Sequence, residues 1–327
     1  MKYLDNKLSS KMSLATTSKN SNFEIVCKNL VCGGIAGMIS KTTVAPLDRV
    51  KILLQAQSHH HQSHGVTKGL KHIIQKEGFL ALYKGNGAQM VRIFPYAASQ
   101  FTAFEIYKKY LDGIFGQTSH IDKFVAGAGA GVTAVFLTYP LDTIRARLAF
   151  QVTGEHIYTG ILHAAQTIFK EEGGAKALYR GFLPTLAGMV PYSGLSFYCF
   201  EYLKYGCIKY LPDLTCHEYD GGTLVLSLPA KLLCGGMSGA IAQSVSYPLD
   251  VTRRHMQLAM MQPHTHHYAK GMFSTLYKIY RNHGLVKGLY RGMSINYMRA
   301  IPMVAVSFST YEMCKQLLHM EAGLKLS

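Results

Sequence analysis

The chain has 327 residues, of which 48% are hydrophobic and only 16% are charged, below the roughly 25% charged that is typical of soluble domains. Its 34 lysines and arginines outnumber its 18 acidic residues and give a formal net charge of +16. Few charges with a basic balance favour a membrane protein that meets anionic lipid or an anionic small molecule. The basic residues are spread through apolar segments rather than clustered, which disfavours nucleic-acid binding.

In chain order, the first predicted element is a polar tail at residues 1–22, which has no apolar core of a secretory signal and no arginine of a transit peptide. We predict that this tail is disordered. Six later segments are apolar and long enough to cross about 30 Å of hydrocarbon. They lie near 28–56, 86–110, 122–150, 183–207, 229–258 and 293–318, with shorter amphipathic segments at about 67–77, 158–172 and 270–283.

The chain is an internal triplication. One short pattern begins at Pro46, Pro140 and Pro248. In each copy the proline is followed by leucine and then aspartate, and a basic residue lies three positions after the aspartate. A G-x-x-x-G run, which allows helices to approach closely, begins 13 residues before each proline, and the proline itself kinks the helix. The predicted repeats are residues 23–115, 116–210 and 211–320, followed by a tail at 321–327. The predicted fold class is an all-α membrane protein with six transmembrane helices in three pseudo-symmetric repeats around a central cavity.

Two sets of acid–base pairs accompany the repeats, and the spacing of three residues places each acid and base on one helix face. A single exposed pair of this kind contributes only ~0.3–0.5 kcal/mol. Six pairs at matched positions instead indicate two gates, one at each end of a polar lumen. The pairs are Asp48/Lys51, Asp142/Arg145 and Asp250/Arg253 at one end, and Glu105/Lys108, Glu201/Lys204 and Glu312/Lys315 at the other.

The threefold proline-acid-base pattern, the Tyr-Lys/Arg-Gly turns and the threefold aromatic-acid-base pattern resemble the signature of the mitochondrial carrier family over about residues 28–318. This resemblance implies location in the mitochondrial inner membrane and alternating access to one central site. It also implies that the ion pairs join neighbouring repeats. The implied pairs are Asp48–Arg145, Asp142–Arg253 and Asp250–Lys51 at the matrix gate, and Glu105–Lys204, Glu201–Lys315 and Glu312–Lys108 at the cytosolic gate.

In this family, glutamines nine residues after the proline brace the matrix pairs. Gln55 and Gln257 match this position, whereas the second repeat has Ala149. A tyrosine hydroxyl braces the cytosolic pairs, and Tyr311 matches, whereas the other two repeats have phenylalanine. We therefore expect the cytosolic gate to be the more weakly braced.

The substrate contacts of the family lie at mid-membrane depth on the second helix of each repeat. Counting back 12 residues from each closing aromatic residue gives Arg92, Gly188 and Arg299. Arginine binds phosphate through a planar fork of donors, and charges at this depth ordinarily face a water-filled cavity. Helix packing is an equally good interpretation of Gly188. Further predicted substrate-binding residues are Met189, Tyr192, Lys41 and Arg254.

The residues at the three contact positions resemble those of the coenzyme A carriers of the family. The same resemblance holds for the segments around Pro46, Arg92 and Arg147. The implied cargo is coenzyme A or a related compound such as an adenosine 3′,5′-bisphosphate. Two alternatives stay open: a carrier of another adenine nucleotide or small anion, and a non-transporting membrane component or proton leak.

Several absences and partners are also predicted. The seven cysteines form no C-x-x-C, the histidine clusters at 59–64 and 264–267 have no acidic neighbours, and no hydrolase or nucleotide-binding motif occurs. We therefore expect no metal, no cofactor and no enzyme activity. The expected partners are the anionic substrate and membrane lipid, with cardiolipin the implied lipid, and the expected state is a monomer.

Overall fold

The structure of the chain, a computed structural model, describes residues 2–55, 66–115, 120–151, 158–219, 223–261 and 263–318. The chain divides into two compact units. The terminal unit comprises Met1–Ala45 and Arg299–Ser327, and the main unit comprises Pro46–Met298.

Helices form most of both units. In chain order they are α1 (Lys2–Gln55), α2 (Val66–Glu77), α3 (Asn86–Phe115), α4 (His120–Phe150), α5 (Ile161–Glu171), α6 (Ala175–Leu178), α7 (Phe182–Tyr210), α8 (Pro212–Thr215), α9 (Leu228–Leu258), α10 (Met272–His283) and α11 (Met293–Leu317). The long helices α1, α3, α4, α7, α9 and α11 have 25 residues or more, enough to cross about 30 Å of hydrocarbon. Each contains one proline beyond its first turn, and that proline removes an intrahelical hydrogen bond.

The short helices α2, α5 and α10 repeat one arrangement in the main unit. Each buries an isoleucine completely: Ile73, Ile168 and Ile279. These isoleucines belong to three separate hydrophobic clusters, in which α2, α5 and α10 pack against the ends of α1, α4 and α9. Full burial of such a side chain is worth about 1.5–3 kcal/mol. The clusters therefore fix one short helix to each repeat and position the turn that follows it.

Two features differ from the sequence-based expectation. Residues 2–22, for which a disordered tail is predicted, are helical and continue α1. No proline precedes Pro46 and no glycine precedes Gly33, so nothing in the local sequence interrupts the helix. In addition, an antiparallel pair of strands, β1 (Cys216–Tyr219) and β2 (Thr223–Leu226), lies among the helices of the described residues. The tail at 321–327 lies outside the described residues.

Among the described residues, the helical segments Lys28–Gln55 and Asp122–Phe150 are long and apolar enough to cross a membrane. Other long helices mix charged residues into their apolar surface, as Glu105 and Lys108 do in α3. Such mixing is expected where one helix face borders a polar cavity.

The G-x-x-x-G runs differ in how closely another helix approaches them. A Cβ placed on Gly33, Gly235 or Gly239 meets no described atom within 4 Å, and one on Gly131 meets only the end of the Met189 side chain at 3.8 Å. Gly129, inside the second run, is closely approached, since a Cβ there would lie 3.2 Å from the Tyr107 ring.

Candidate functional site

The acids and bases that follow the repeated prolines come together in the main unit. Arg145 Nη2 in α4 lies 2.6 Å from Asp48 Oδ2 in α1. Arg253 in α9 pairs with Asp142 in α4. These are two of the three matrix-gate contacts that the family resemblance implies. The carboxylate side chains are only 8% and 6% exposed, so loss of either partner would leave a charge with little access to water.

The residues of the third implied pair, Asp250 and Lys51, each have an amide partner. Lys51 Nζ donates to Asn296 Oδ1 at 2.8 Å, and Asp250 Oδ2 accepts from Gln243 Nε2 at 2.8 Å. These two amides were not predicted, because they lie outside the repeated patterns. The direct Asp250–Lys51 contact stays a prediction.

The two glutamines predicted as braces make different contacts. Gln257 Nε2 donates to Asp142 Oδ2 at 3.1 Å and therefore contacts a gate pair directly. Gln257 Oε1 accepts from Arg254 Nη1 at 3.0 Å. Gln55 Nε2 instead donates to the Tyr247 hydroxyl at 3.0 Å. Ala149, at the matching position of the second repeat, is buried and has no polar side-chain atom.

Two buried tyrosines complete this side of the site, and sequence reasoning missed them. Tyr139 and Tyr247 each come directly before a repeated proline and accept a hydrogen bond from Gln257 and Gln55, at 3.3 and 3.0 Å. A gate cation also lies over each ring, with Arg253 Cζ at 5.7 Å and Lys51 Nζ at 5.5 Å from the ring centroids. The signal was available, since both tyrosines occupy the same repeat position, where the first repeat has Ala45.

Arg92, a predicted substrate-binding residue, contacts Asp142, a predicted residue of the matrix gate. Its Nη1 lies 3.2 Å from Asp142 Oδ1, while Arg253 pairs with Oδ2 of the same carboxylate. Its Nε lies 3.4 Å from Thr138 Oγ1, and its guanidinium carbon lies 5.3 Å from the centre of the Tyr96 ring. One carboxylate therefore serves two arginines, one from the predicted substrate site and one from the predicted gate.

The other predicted substrate residues of the main unit lie on α7 and α9. A Cβ on Gly188 would lie 3.5 Å from Leu249 Cβ, which is ordinary packing distance and agrees with a helix-packing role. Met189 reaches Gly131, and Tyr192 is 41% exposed. Arg254 is held by Gln257, as described above.

The terminal unit holds Lys41, Arg299 and part of the predicted cytosolic gate. Lys41 Nζ lies 3.3 Å from Met303 Sδ and lines a cavity of about 380 Å³ together with Ser40 and Ser307. Arg299 is partly buried on α11. The Tyr311 hydroxyl donates to Asn29 Oδ1 at 3.1 Å, and Lys315 Nζ lies 4.9 Å from the centre of the Tyr311 ring. Glu312 is partly buried on the same helix.

The cytosolic-gate residues of the main unit are not joined across repeats. Lys204 Nζ lies 3.3 Å from Glu201 Oε2 within α7, and these side chains are 42% and 66% exposed. Glu105 is exposed and Lys108 partly buried on α3. Within the described part of the main unit, no salt bridge joins Glu105 to Lys204. The other two implied pairs join residues of different units and stay predictions.

Sequence reasoning also missed two fully buried arginines beneath the gate. Arg49 Nη2 contacts Glu77 Oε2 at 2.7 Å, and Arg147 Nη2 contacts Glu172 Oε2 at 2.8 Å. The two acids open the turns identified from the sequence. However, the arginines stand three and seven residues after their prolines, so alignment of the repeats does not pair them.

Both arginines also reach into the next repeat. Arg49 Nε donates to the Ala149 carbonyl at 3.2 Å, and Arg147 Nε donates to the Gln257 carbonyl at 3.0 Å. Lys84 Nζ adds a second cation to Glu77 at 2.8 Å. Burial raises the pKa of Glu77, but hydrogen bonds from Lys84 and Arg49 lower it more, so that its pKa lies below the usual value of 4.5.

Comparison with known proteins identifies the class of protein that has this threefold fold and paired-charge site. The mitochondrial carrier protein family model matches three consecutive segments, residues 24–114, 116–211 and 225–322. The chain therefore belongs to the mitochondrial carrier family, whose members are transporters of the inner mitochondrial membrane. Membership confirms the predicted all-α membrane fold with three repeats and the predicted location.

Individual relatives cover nearly the whole chain. Solute carrier family 25 member 16 of Homo sapiens is 52% identical over 295 residues, covering 90% of this chain and 89% of the relative. Mitochondrial coenzyme A transporter SLC25A42 of Xenopus laevis is 40% identical over 304 residues, covering 91% and 88%. Mitochondrial carrier protein CoAc1 of Arabidopsis thaliana is 39% identical over 327 residues, covering 94% of each.

Proposed function

We propose that this carrier transports coenzyme A, or a related adenine-containing phosphate compound such as an adenosine 3′,5′-bisphosphate, by alternating access. Similarity to a relative named as a coenzyme A transporter over about nine-tenths of the chain supports the cargo class. The observation that carries the mechanism is the shared carboxylate of Asp142, which contacts both Arg92 and Arg253.

The cargo chemistry follows from the arginines. A coenzyme A molecule carries several phosphate groups, and a guanidinium can donate two parallel hydrogen bonds to each of them. Arg92 and Arg299 are each proposed as a phosphate-binding residue. Tyr192 is exposed enough to offer a ring face to an adenine base. Lys41 and Arg254 supply further positive charge.

The contact between Arg92 and Asp142 links cargo binding to the matrix gate. A phosphate that binds Arg92 competes with Asp142 for the same donors. Asp142 then retains Arg253 and Gln257 but loses one of its two cationic partners. Cargo binding thus weakens the interactions of the closed matrix gate, as a ligand must if it favours the other conformation.

The proposed state of the main unit is closed at the matrix gate, while its cytosolic-gate residues are not paired between repeats. The carboxylates of Asp48 and Asp142 are buried in ion pairs, whereas Glu201 and Lys204 are exposed and, within the described part of the main unit, pair inside their own helix. An exposed pair within one helix contributes only ~0.3–0.5 kcal/mol and places no constraint on a neighbouring repeat.

The direct test is exchange by the purified protein in liposomes. Labelled coenzyme A is added outside the liposomes. The liposomes are preloaded with one unlabelled compound: coenzyme A, adenosine 3′,5′-bisphosphate, ATP, phosphate or a carboxylate. We expect rapid exchange with the first two internal compounds. In parallel assays with labelled ATP, phosphate or a carboxylate outside, exchange of one of these without exchange of coenzyme A would favour the alternative carriers, and no exchange of any compound would favour a non-transporting component.

Arg92→Ala tests the proposed role of Arg92. We expect loss of most coenzyme A exchange with retained folding, because the variant removes a phosphate donor while Asp142 keeps Arg253 and Gln257. Arg281→Ala, which removes an exposed arginine on α10, is the matched control and should exchange normally. Arg299→Ala is assayed separately in the same way. Normal exchange by either variant would remove that arginine from the cargo site.

A further inference from the structure

Two cysteines of the main unit lie in contact on neighbouring long helices. Cys207 Sγ in α7 and Cys234 Sγ in α9 are 3.6 Å apart. This is a contact distance between two free thiols, whereas a disulfide bond is about 2.05 Å long. Only a small approach of the two side chains therefore separates the thiol pair from a covalent bond.

The surroundings hold this pair together. Cys234 is buried in a hydrophobic cluster with Leu226 and Ala230, and Cys207 packs against the same cluster from α7. The hairpin of β1 and β2 lies in the connection between the two helices, and its flanking residues are tied by a hydrogen bond from the Ser227 amide to the Thr215 carbonyl at 2.7 Å. The end of α7 and the start of α9 are therefore positioned by packing on both sides of the sulfurs.

The two thiols differ in access. Cys207 is partly exposed, whereas Cys234 is only 4% exposed. A small disulfide can therefore reach Cys207 first, and Cys234 is placed to attack the product from its buried side. This is the usual division between an attacking thiol and a resolving thiol.

We propose that Cys207 and Cys234 form a reversible redox pair that a low-molecular-weight disulfide, such as oxidised glutathione, converts to an intramolecular disulfide. The Cys207 thiolate attacks one sulfur of glutathione disulfide, whose S–S bond breaks and releases one glutathione thiolate. The Cys234 thiolate then attacks Cys207 Sγ in the mixed disulfide and releases the second glutathione. The two cysteines lose two electrons and two protons, and one glutathione disulfide is reduced to two glutathiones.

The bond has a consequence for transport that rests on the proposed function. Cys207 lies one helical turn beyond Lys204, on the same end of α7 as the proposed cytosolic gate. A disulfide there ties a helix of the second repeat to a helix of the third. Because closing the cytosolic gate requires neighbouring repeats to move against each other, the bond slows exchange.

The first experiment measures the bond itself and needs no transport. Fully reduced protein in liposomes is treated with glutathione disulfide, the remaining thiols are blocked with a maleimide, and the peptides are mapped by mass spectrometry. We expect one Cys207–Cys234 disulfide that a dithiol reductant reverses. Stable glutathione on Cys207, or a bond to Cys216 instead, would overturn the proposal, and both results can be read from the wild-type protein alone.

Variants and exchange rates complete the test. Cys216→Ser, which removes a third thiol of the same cluster, should still form the bond, whereas Cys207→Ser and Cys234→Ser should not. We expect oxidation to slow coenzyme A exchange of the wild type by about fivefold or more, and to leave Cys207→Ser unaffected. A mapped disulfide with unchanged exchange would refute the regulatory effect. Absence of coenzyme A exchange in reduced wild type would refute the proposed cargo and leave the mapped disulfide standing.

Discussion

At the residue scale, the most demanding positions are the two fully buried arginines, Arg49 and Arg147. An unpaired charge at either position would be very costly, and both are satisfied by a glutamate together with backbone carbonyls. Each glutamate closes its own short helix, and each carbonyl belongs to the next repeat. These side chains therefore join the first repeat to the second and the second to the third.

We predict that Glu77, in the first repeat, makes the stability of the folded chain depend on pH. The pKa of Glu77 is lower in the folded chain than its ordinary value of 4.5, so the unfolded chain binds the proton more readily. The stabilisation is therefore fully present above about pH 4.5 and is lost as the pH falls through the folded pKa. Glu77→Gln should lower the melting temperature at neutral pH and flatten the fall in stability below pH 4.5.

Thermal unfolding in detergent between pH 3 and 7 measures this effect. Glu201→Gln is the matched control, because the Glu201 side chain is 66% exposed and pairs with Lys204 in its own helix. The control should follow the wild-type curve. If the melting temperatures of Glu77→Gln and wild type fell equally below pH 4.5, the contribution assigned to the Arg49–Glu77–Lys84 contacts would be contradicted.

At the element scale, the tyrosine-base-glycine turns bring the second helix of each repeat against the gate of its neighbour. Gly181 begins α7 with φ of 86°, and a Cβ at this position would lie 2.9 Å from the Arg253 carbonyl and 3.0 Å from the Tyr139 hydroxyl. Gly85 and Gly292 have φ of 84° and 83° and similar close neighbours. The turn glycines thus allow the backbone to approach the gate.

Gly181→Ala should destabilise the chain substantially. The left-handed backbone alone costs about 1–2 kcal/mol for a residue with a Cβ, and the clash with the carbonyl adds to it. Gly235→Ala, in the middle of α9 with open space beside it, is the matched control and should be neutral or slightly stabilising. Thermal unfolding of both variants in one detergent decides the matter, and equal melting temperatures would contradict the predicted close approach.

The third repeat differs from the first two in the contacts of its short helix. His255 occupies the repeat position of Arg147, and His283 occupies that of the glutamates. His255 Nδ1 contacts the Val251 carbonyl of its own helix at 3.1 Å rather than a carbonyl of another repeat. Burial, followed by the nearby charge of Arg291, lowers the pKa of His283. The short helix of this repeat therefore has no arginine–glutamate contact corresponding to those of the other two.

At the scale of the whole molecule, the gate pairs join one repeat to another. Asp48 and Arg145 are 97 residues apart in the chain and 2.6 Å apart in the structure. Reversing one charge places like charges in contact, so Asp48→Arg and Arg145→Asp should each lower coenzyme A exchange by about tenfold or more, equivalent to ~1.4 kcal/mol. The double variant restores the pair and should recover much of the rate.

A mismatched double variant is the control for this exchange assay in liposomes. Asp48→Arg combined with Arg253→Asp restores no observed pair and disrupts two, so it should be no better than either single variant. Recovery by the mismatched variant, or its absence in the matched one, would show that the Asp48–Arg145 contact does not act as a pair in transport.

Much of the architecture follows from sequence alone. The bounds of α3, α4, α7, α9 and α11 agree closely with the predicted segments, and α1 agrees at its C-terminal end, because apolar length, prolines and turn glycines act locally. The triplicated acids and bases also indicated the partners of Asp48 and Asp142 through the family resemblance. The expectation of a disordered tail at residues 2–22 differs from the structure, in which α1 continues through them.

Tertiary structure alone decided how the charged residues share partners. Asn296, Arg49 and Arg147 carry no distinctive local pattern, and their hydrogen-bond partners lie far away in the chain. The sequence by itself determined which residues are repeated and therefore where the predicted gates and substrate contacts lie along the helices. Only the fold decided that Arg92 and Arg253 both contact the carboxylate of Asp142, since that arrangement depends on how α3, α4 and α9 pack together.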